Sequence, residues 1–125
     1  RRSGRPSEIN PRFLGLKKGY LTSYNQPMYT IIQTHEFEDW LTGLRDGMTK
    51  RRLVRRLEKA QQGNLGDVEP VGEGVFEMRE FFGFGWRMYY VQRGAMLIVM
   101  LGGGDKSTQT ADIKRAIKLA ASLEE

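Results

Sequence analysis

The sequence predicts an α+β domain in which two N-terminal helices pack on a small antiparallel sheet and a further helix closes the chain. Three observations carry this reading. Apolar residues recur at helical spacing between Thr34 and Gln62, and again after Lys106. Between these stretches, Gly74 to Lys106 divides into three strand-length runs joined by short turns. The first of these runs alternates with period two, placing Phe76 and Met78 on one face and Glu77 and Arg79 on the other.

Tyr29 to Gln33 is a strand-like run that opens the domain. Thr34 suits the N-cap of a helix reaching about Arg45, with Glu36, Glu38 and Asp39 in the first turns, where carboxylates complement the helix dipole. Phe37, Trp40, Leu41 and Leu44 form its inward face. Asp46 and Gly47 break this helix. A second helix is expected from about Met48 to Gln62, with Leu53, Val54, Leu57 and Ala60 inward and Gly63 as its stop. Asn64 to Gly74 holds turns around a short strand, Val68 to Val71.

The three longer strands are expected at Val75 to Phe82, Trp86 to Gln92 and Met96 to Leu101, with turns at residues 83–85 and 93–95. Trp86, Met88 and Tyr90 share one face of the second, leaving Arg87 and Tyr89 on the other. The third is apolar on both faces, which predicts a central place in the sheet. A glycine loop, Gly102-Gly103-Gly104, then leads to a last helix, capped by Ser107 or Thr108 and running to about Leu123. Ile113, Ala116, Ile117 and Ala120 line its buried face.

Residues 1–27 contain three prolines and no sustained periodicity, so they read as an unstructured basic extension ahead of a domain at 28–125, with Met28 a natural start of that domain. The net charge of +5 over 125 residues is uneven. Six basic groups against one acid fall in residues 1–28, whereas the rest of the chain balances 14 against 14. A nucleic-acid case for the folded body therefore rests on local clustering. No cysteine is present, which excludes disulfides and thiolate chemistry, and a lone His35 excludes a histidine metal cluster. With no long apolar run, the expectation is a soluble, cytoplasmic protein without a membrane partner or cofactor.

Two clusters of cations stand out. Arg79, Arg87 and Lys106 are placed to converge on one concave surface at the strand ends. Arg79, among acids, equally suits ion pairs with Glu73, Glu77 or Glu80, whereas Arg87 is flanked by Trp86, Met88, Tyr89 and Tyr90, a setting for phosphate holding beside aromatic rings. Tyr90 fits a packing role and His35 a surface one. On the second helix, Lys50, Arg51, Arg52, Arg55, Arg56 and Lys59 face outward with Glu58 the one acid among them. They form either a solvated face or a stripe for a phosphate backbone, and the spacing favours the stripe. The glycine-rich run before Lys106 fails the phosphate-loop pattern, because Asp105 occupies the position of its last glycine.

Residues 28–125 resemble the RelE/ParE toxin superfamily, in particular the HigB-like addiction-module killer proteins. The likeness rests on Thr34 to Asp46, GNLGDVEPVGEGVFEMR at Gly63 to Arg79, GFGWRMYY at Gly83 to Tyr90, and LGGGDKSTQTADI at Leu101 to Ile113, in that order. The resemblance implies a microbial ribonuclease-like sheet and a metal-independent endoribonuclease acting on mRNA in the ribosome. In that chemistry a ribose 2′-OH attacks the adjacent phosphate while basic residues stabilise the added charge.

Carried over by position, Arg87 and Lys106 take the catalytic basic positions and Arg79 a third, with the second-helix stripe facing RNA or the ribosome. A helix-turn-helix antitoxin is the implied partner. The last helix departs from the superfamily in lacking a tyrosine or a histidine-rich end, so the general base falls to Asp105, Asp112, Tyr89 or the ribosome. A ParE-like, non-enzymatic gyrase poison is the alternative, and a nucleic-acid-binding module a third.

Overall fold

Thr34 joins the first strand to the first helix through a single hydroxyl. Its Oγ1 accepts from Phe37 N at 3.1 Å as an N-cap and donates to Met100 O at 2.8 Å, pinning the junction to a neighbouring strand. The computed structural model describes residues 28–123; the expectations for residues 1–27 lie outside them. In chain order the elements are β1 (Thr30–Gln33), α1 (His35–Thr42), α2 (Gly47–Gln61), β2 (Val68–Gly72), β3 (Val75–Arg79), β4 (Arg87–Arg93), β5 (Leu97–Gly104), a 3-10 turn (Lys106–Thr108) and α3 (Gln109–Ser122).

The five strands form one sheet in the order β1-β5-β4-β3-β2. Its pairs are antiparallel except β1 with β5, which is parallel, so the expected antiparallel sheet is mixed at one edge. The reason is topological: α1 and α2 follow β1 and carry the chain away, and β1 is later paired by a strand running the same way. β5 is interior, between β1 and β4, as its two apolar faces predict.

Helices cover both faces of the sheet. On one, α1 and α2 bury Phe37, Leu41, Leu53, Leu57 and Ala60 against Met78, Met88, Tyr90, Ile98 and Met100. On the other, α3 lays Ala116 and Ala120 on Val75, Tyr89, Val91 and Leu101. The strand alternation read from the sequence holds, and Phe76 stacks on its register partner Tyr90 at 5.5 Å between ring centroids. Val54, expected inward, is 37% exposed, because the α2 face that meets the sheet is centred on Leu53, Leu57 and Ala60.

Several boundaries differ from expectation. α1 stops at Thr42, with Gly43 N bonded back to Asp39 O, and Asp46 caps α2 by accepting from Met48 N at 3.3 Å and Thr49 Oγ1 at 2.8 Å. β3 ends at Arg79, not Phe82: residues 80–86 form a loop closed by Glu80 N donating to Trp86 O at 2.9 Å. Gly83 and Gly85, with φ of 57° and 78°, supply its left-handed turns.

Gly102 to Gly104 belong to β5, paired with Tyr89, Met88 and Arg87, where the sequence reads as a loop. A Cβ at Gly103 would collide with the Trp40 ring from α1, and one at Gly104 with the Asp112 carboxylate from α3. The glycines thus let helices on opposite faces reach the strand backbone. Asp105 caps the 3-10 turn that follows, accepting from Ser107 N at 2.8 Å, and Thr108 takes the N-cap position of α3 as expected, without a side-chain capping bond.

Candidate functional site

β4 begins at Arg87, one residue after the Gly83–Gly85 turn, and β5 ends beside it, so the strand ends bring Arg87 and Lys106 together beside Gly85. A Cβ at Gly85 would lie 3.1 Å from Arg87 Nη1 and 3.4 Å from Lys106 Cβ. Lys106 N donates to Phe84 O at 3.2 Å, which fixes the 3-10 turn against the loop, and the Lys106 side chain is exposed. Two cationic side chains thus meet at one turn at the strand ends.

Arg87 is 8% exposed and lies within a polar network under α3. Its Nη1 donates to Gly85 O at 2.7 Å, and its Nε lies 3.3 Å from Glu77 Oε2 but out of line for a hydrogen bond, leaving that buried N–H unsatisfied. Glu77 Oε2 also accepts from Tyr89 Oη at 3.2 Å and from Gln109 Nε2 at 2.8 Å. Glu77, 2% exposed, is therefore the hub of the network, a role the sequence signalled only as an acid adjacent to arginine.

The candidate bases have distinct surroundings. Tyr89 is fully buried, and burial first and the Glu77 carboxylate second push its phenol well above the usual tyrosine value. The Ser107 hydroxyl holds Asp105 below the ordinary carboxylate range. Asp112 accepts from Thr108 Oγ1 and Arg115 Nη2, each at 2.6 Å, and lies against Gly104. A cavity of about 800 Å³ opens beside it, lined among others by Trp40, Trp86, Asp112, Arg115 and Lys118. Among the described residues no group of three or more His, Cys, Asp or Glu side chains is placed to hold a metal ion.

Arg79 pairs with Arg87 in register but turns to the β2 side, where Asp67 takes its Nε and Nη2 at 3.2 Å each and Glu69 lies 3.6 Å away. Its partners are thus acids of the preceding segment, not Glu73, Glu77 or Glu80.

The α2 cations divide. Arg51, Arg52, Arg55 and Lys59 are exposed, and Lys50 Nζ donates to Thr42 O at 3.2 Å. Arg56 points inward, donating to Leu65 O, Asp67 O and Arg79 O at 2.8–3.2 Å and pairing with Glu80. It staples α2 to the loop before β2 and to the end of β3. Gly66, whose φ is 71°, leaves the room that this guanidinium occupies.

No family model matches the sequence. A Haemophilus influenzae protein, described as uncharacterized, is 41% identical over 93 residues, covering 74% of this chain and 94% of its own length. Among solved structures, a chain of the toxin–antitoxin complex RelBE2 from Mycobacterium tuberculosis matches with a TM-score of 0.53 at 18% identity, over 66% of this chain and 94% of that chain. At that identity what is shared is the fold. No helix of the described residues is long and apolar enough to cross a membrane. The chain belongs to one family with the Haemophilus influenzae protein, on an α+β fold that it shares with a chain of the RelBE2 complex.

Proposed function

We propose that this protein is the toxin of a type II toxin–antitoxin pair and cleaves mRNA on the ribosome without a metal. The observation that carries the reading is the meeting of Arg87 and Lys106 beside Gly85. A phosphate seated there meets a guanidinium held by Gly85 O and Glu77 and a flexible ammonium from the turn after β5. As the ribose 2′-oxygen bonds to phosphorus and the 5′-oxygen leaves, charge accumulates on the non-bridging oxygens, where preorganised cations act most strongly. Arg79, paired with Asp67 and Glu69, stays out of this pair, and Arg51, Arg52, Arg55 and Lys59 supply the long-range attraction for RNA or ribosome. The partner in the cell is a helix-turn-helix antitoxin, and the fold shared with a toxin–antitoxin complex supports that pairing.

The surroundings of the candidate bases favour a second reading, a gyrase poison that binds without hydrolysis. Tyr89 is buried with its proton held strongly, and Asp112 is tied to Thr108 and Arg115. On the first reading the ribosome supplies the base. Induction of the protein with primer-extension mapping of translated mRNA, beside a gyrase supercoiling assay, tests the two. Cleavage within translated codons supports the enzyme; intact mRNA with inhibited supercoiling contradicts it and supports the poison.

A further inference from the structure

Loop 80–86 holds two aromatic rings in water. Phe81 and Phe84 are 78% and 72% exposed, although the loop ends are closed by a backbone hydrogen bond and both faces of the sheet have cores to receive apolar side chains. Two large rings left in water within one short loop make it a candidate binding surface. Three of the four rings of the loop, Phe81, Phe82 and Phe84, have a cation nearby. The Arg79 guanidinium carbon is 5.8 Å from the Phe81 ring centroid, and that of Arg52 is 4.4 Å from Phe82. Phe84 and Lys106 line a cavity of about 530 Å³ with Asp105 and Ser107, and the Phe84 ring meets Trp86 edge-on at 6.2 Å. At the other end Arg52, Arg55, Arg56, Lys59 and Glu80 line a groove of about 220 Å³.

We propose that Phe81 and Phe84 are nucleobase-stacking platforms of one single-stranded RNA track, running from the α2 groove across loop 80–86 to Lys106. A single strand alternates bases with phosphates, so a surface that follows it needs rings as well as cations, and this loop supplies the rings while Arg52, Arg55 and Lys106 beside it supply the cations. An apolar protein segment would be served by rings without charged neighbours, whereas Phe81 has the Arg79 guanidinium beside it and Phe84 shares its cavity with Lys106. The track joins the α2 cations to the Arg87–Lys106 pair as parts of one surface. It rests on the RNA reading above for the class of polymer.

The test is equilibrium binding of a short fluorescent 2′-O-methyl RNA, which lacks the attacking hydroxyl, to the full chain across a range of salt. Phe81→Ala and Phe84→Ala are each expected to weaken binding about tenfold while leaving the salt slope unchanged, and Phe84→Trp is expected to bind as the parent does. Arg55→Ala is expected to lower the salt slope by about one. Circular dichroism and thermal melts establish that each variant is folded. No measurable binding by the parent overturns the track, as does parent-like binding by both alanine variants, even where those variants lose capture of an antitoxin or gyrase. Because the probe cannot be cut, loss of binding in the phenylalanine variants upholds the track even if ribosomal cleavage is never found, and the enzymatic reading alone then falls.

Discussion

Glu77 Oε2 and Arg87 Nε lie 3.3 Å apart beneath α3, both residues nearly closed to water, and the same carboxylate oxygen holds Tyr89 and Gln109. The pair ties β3, β4 and the first turn of α3 together and sets the direction in which the guanidinium points. Its cost is one unsatisfied N–H on Arg87.

Removing the carboxylate leaves a buried guanidinium without a counter-charge. Glu77→Ala is expected to lose roughly 3–5 kcal/mol of stability, and Glu77→Gln less, because an amide oxygen still accepts from Tyr89. Denaturant unfolding measures both. Parent-like stability of Glu77→Ala would show that the network contributes nothing to folding.

Arg55 and Arg56 are neighbours with opposite duties. Arg56→Ala deprives three carbonyls and Glu80 of a charged donor, for an expected loss of about 2–4 kcal/mol. Arg55→Ala, at an exposed position, is expected to stay within about 0.5 kcal/mol of the parent. Urea midpoints of the two variants separate these roles, and equal midpoints would contradict the staple.

The three consecutive glycines of β5 are also unequal. At Gly102 a Cβ meets nothing within 4 Å, so Gly102→Ala is expected to be near neutral. Gly103→Ala and Gly104→Ala drive a methyl into Trp40 and Asp112, and overpacking of that kind costs about 1–3 kcal/mol. Thermal melts of the series check the order; a Gly104→Ala variant as stable as Gly102→Ala would mean that α3 docks more loosely than described.

What the sequence disclosed follows from the range of the interactions concerned. Thr34 as a cap, the buried stripe of α1 and the two faces of β3 and β4 are set by neighbours within a few residues, and they were legible. The parallel pairing of β1 with β5 joins Thr30 to Leu97, a contact with no local signature. Arg56 has the same helical spacing as Arg55 and Arg52, and what turns it inward is the carbonyl cluster of Leu65, Asp67 and Arg79, brought to it by the fold. The glycine run was visible as glycine, but its purpose depends on Trp40 and Asp112 arriving from opposite sides. At the candidate site, the meeting of Arg87 with Lys106 was legible because strand ends gather after a short turn; the expected convergence of Arg79 with them fails because Asp67 and Glu69 draw it to the β2 side, and Glu77 was not legible, because a buried acid and a solvated one look alike in a strand.

Tyr89 predicts a pH response. Its phenol ionises well above the unfolded value of about 10, so the folded state retains a proton that the unfolded chain releases. The contribution is complete below about pH 10 and is lost as pH rises from there towards the folded value. Stability measured by denaturant should therefore fall above about pH 10, and Tyr89→Phe should flatten that fall. An unchanged alkaline slope in Tyr89→Phe would contradict the assignment.

In the proposed reaction the cations beside Gly85 act on a phosphate in the transition state. Lys106 gives the cleanest test, because its exposed side chain can be removed without opening the Glu77 network. The measurement is single-turnover cleavage of mRNA on programmed ribosomes at saturating protein, comparing the parent with Lys106→Ala and confirming the fold by circular dichroism. Loss of one electrostatic contact worth about 3 kcal/mol predicts a rate on the order of a hundredfold slower with ribosome binding little changed. A folded Lys106→Ala variant that cleaves as fast as the parent would contradict the account.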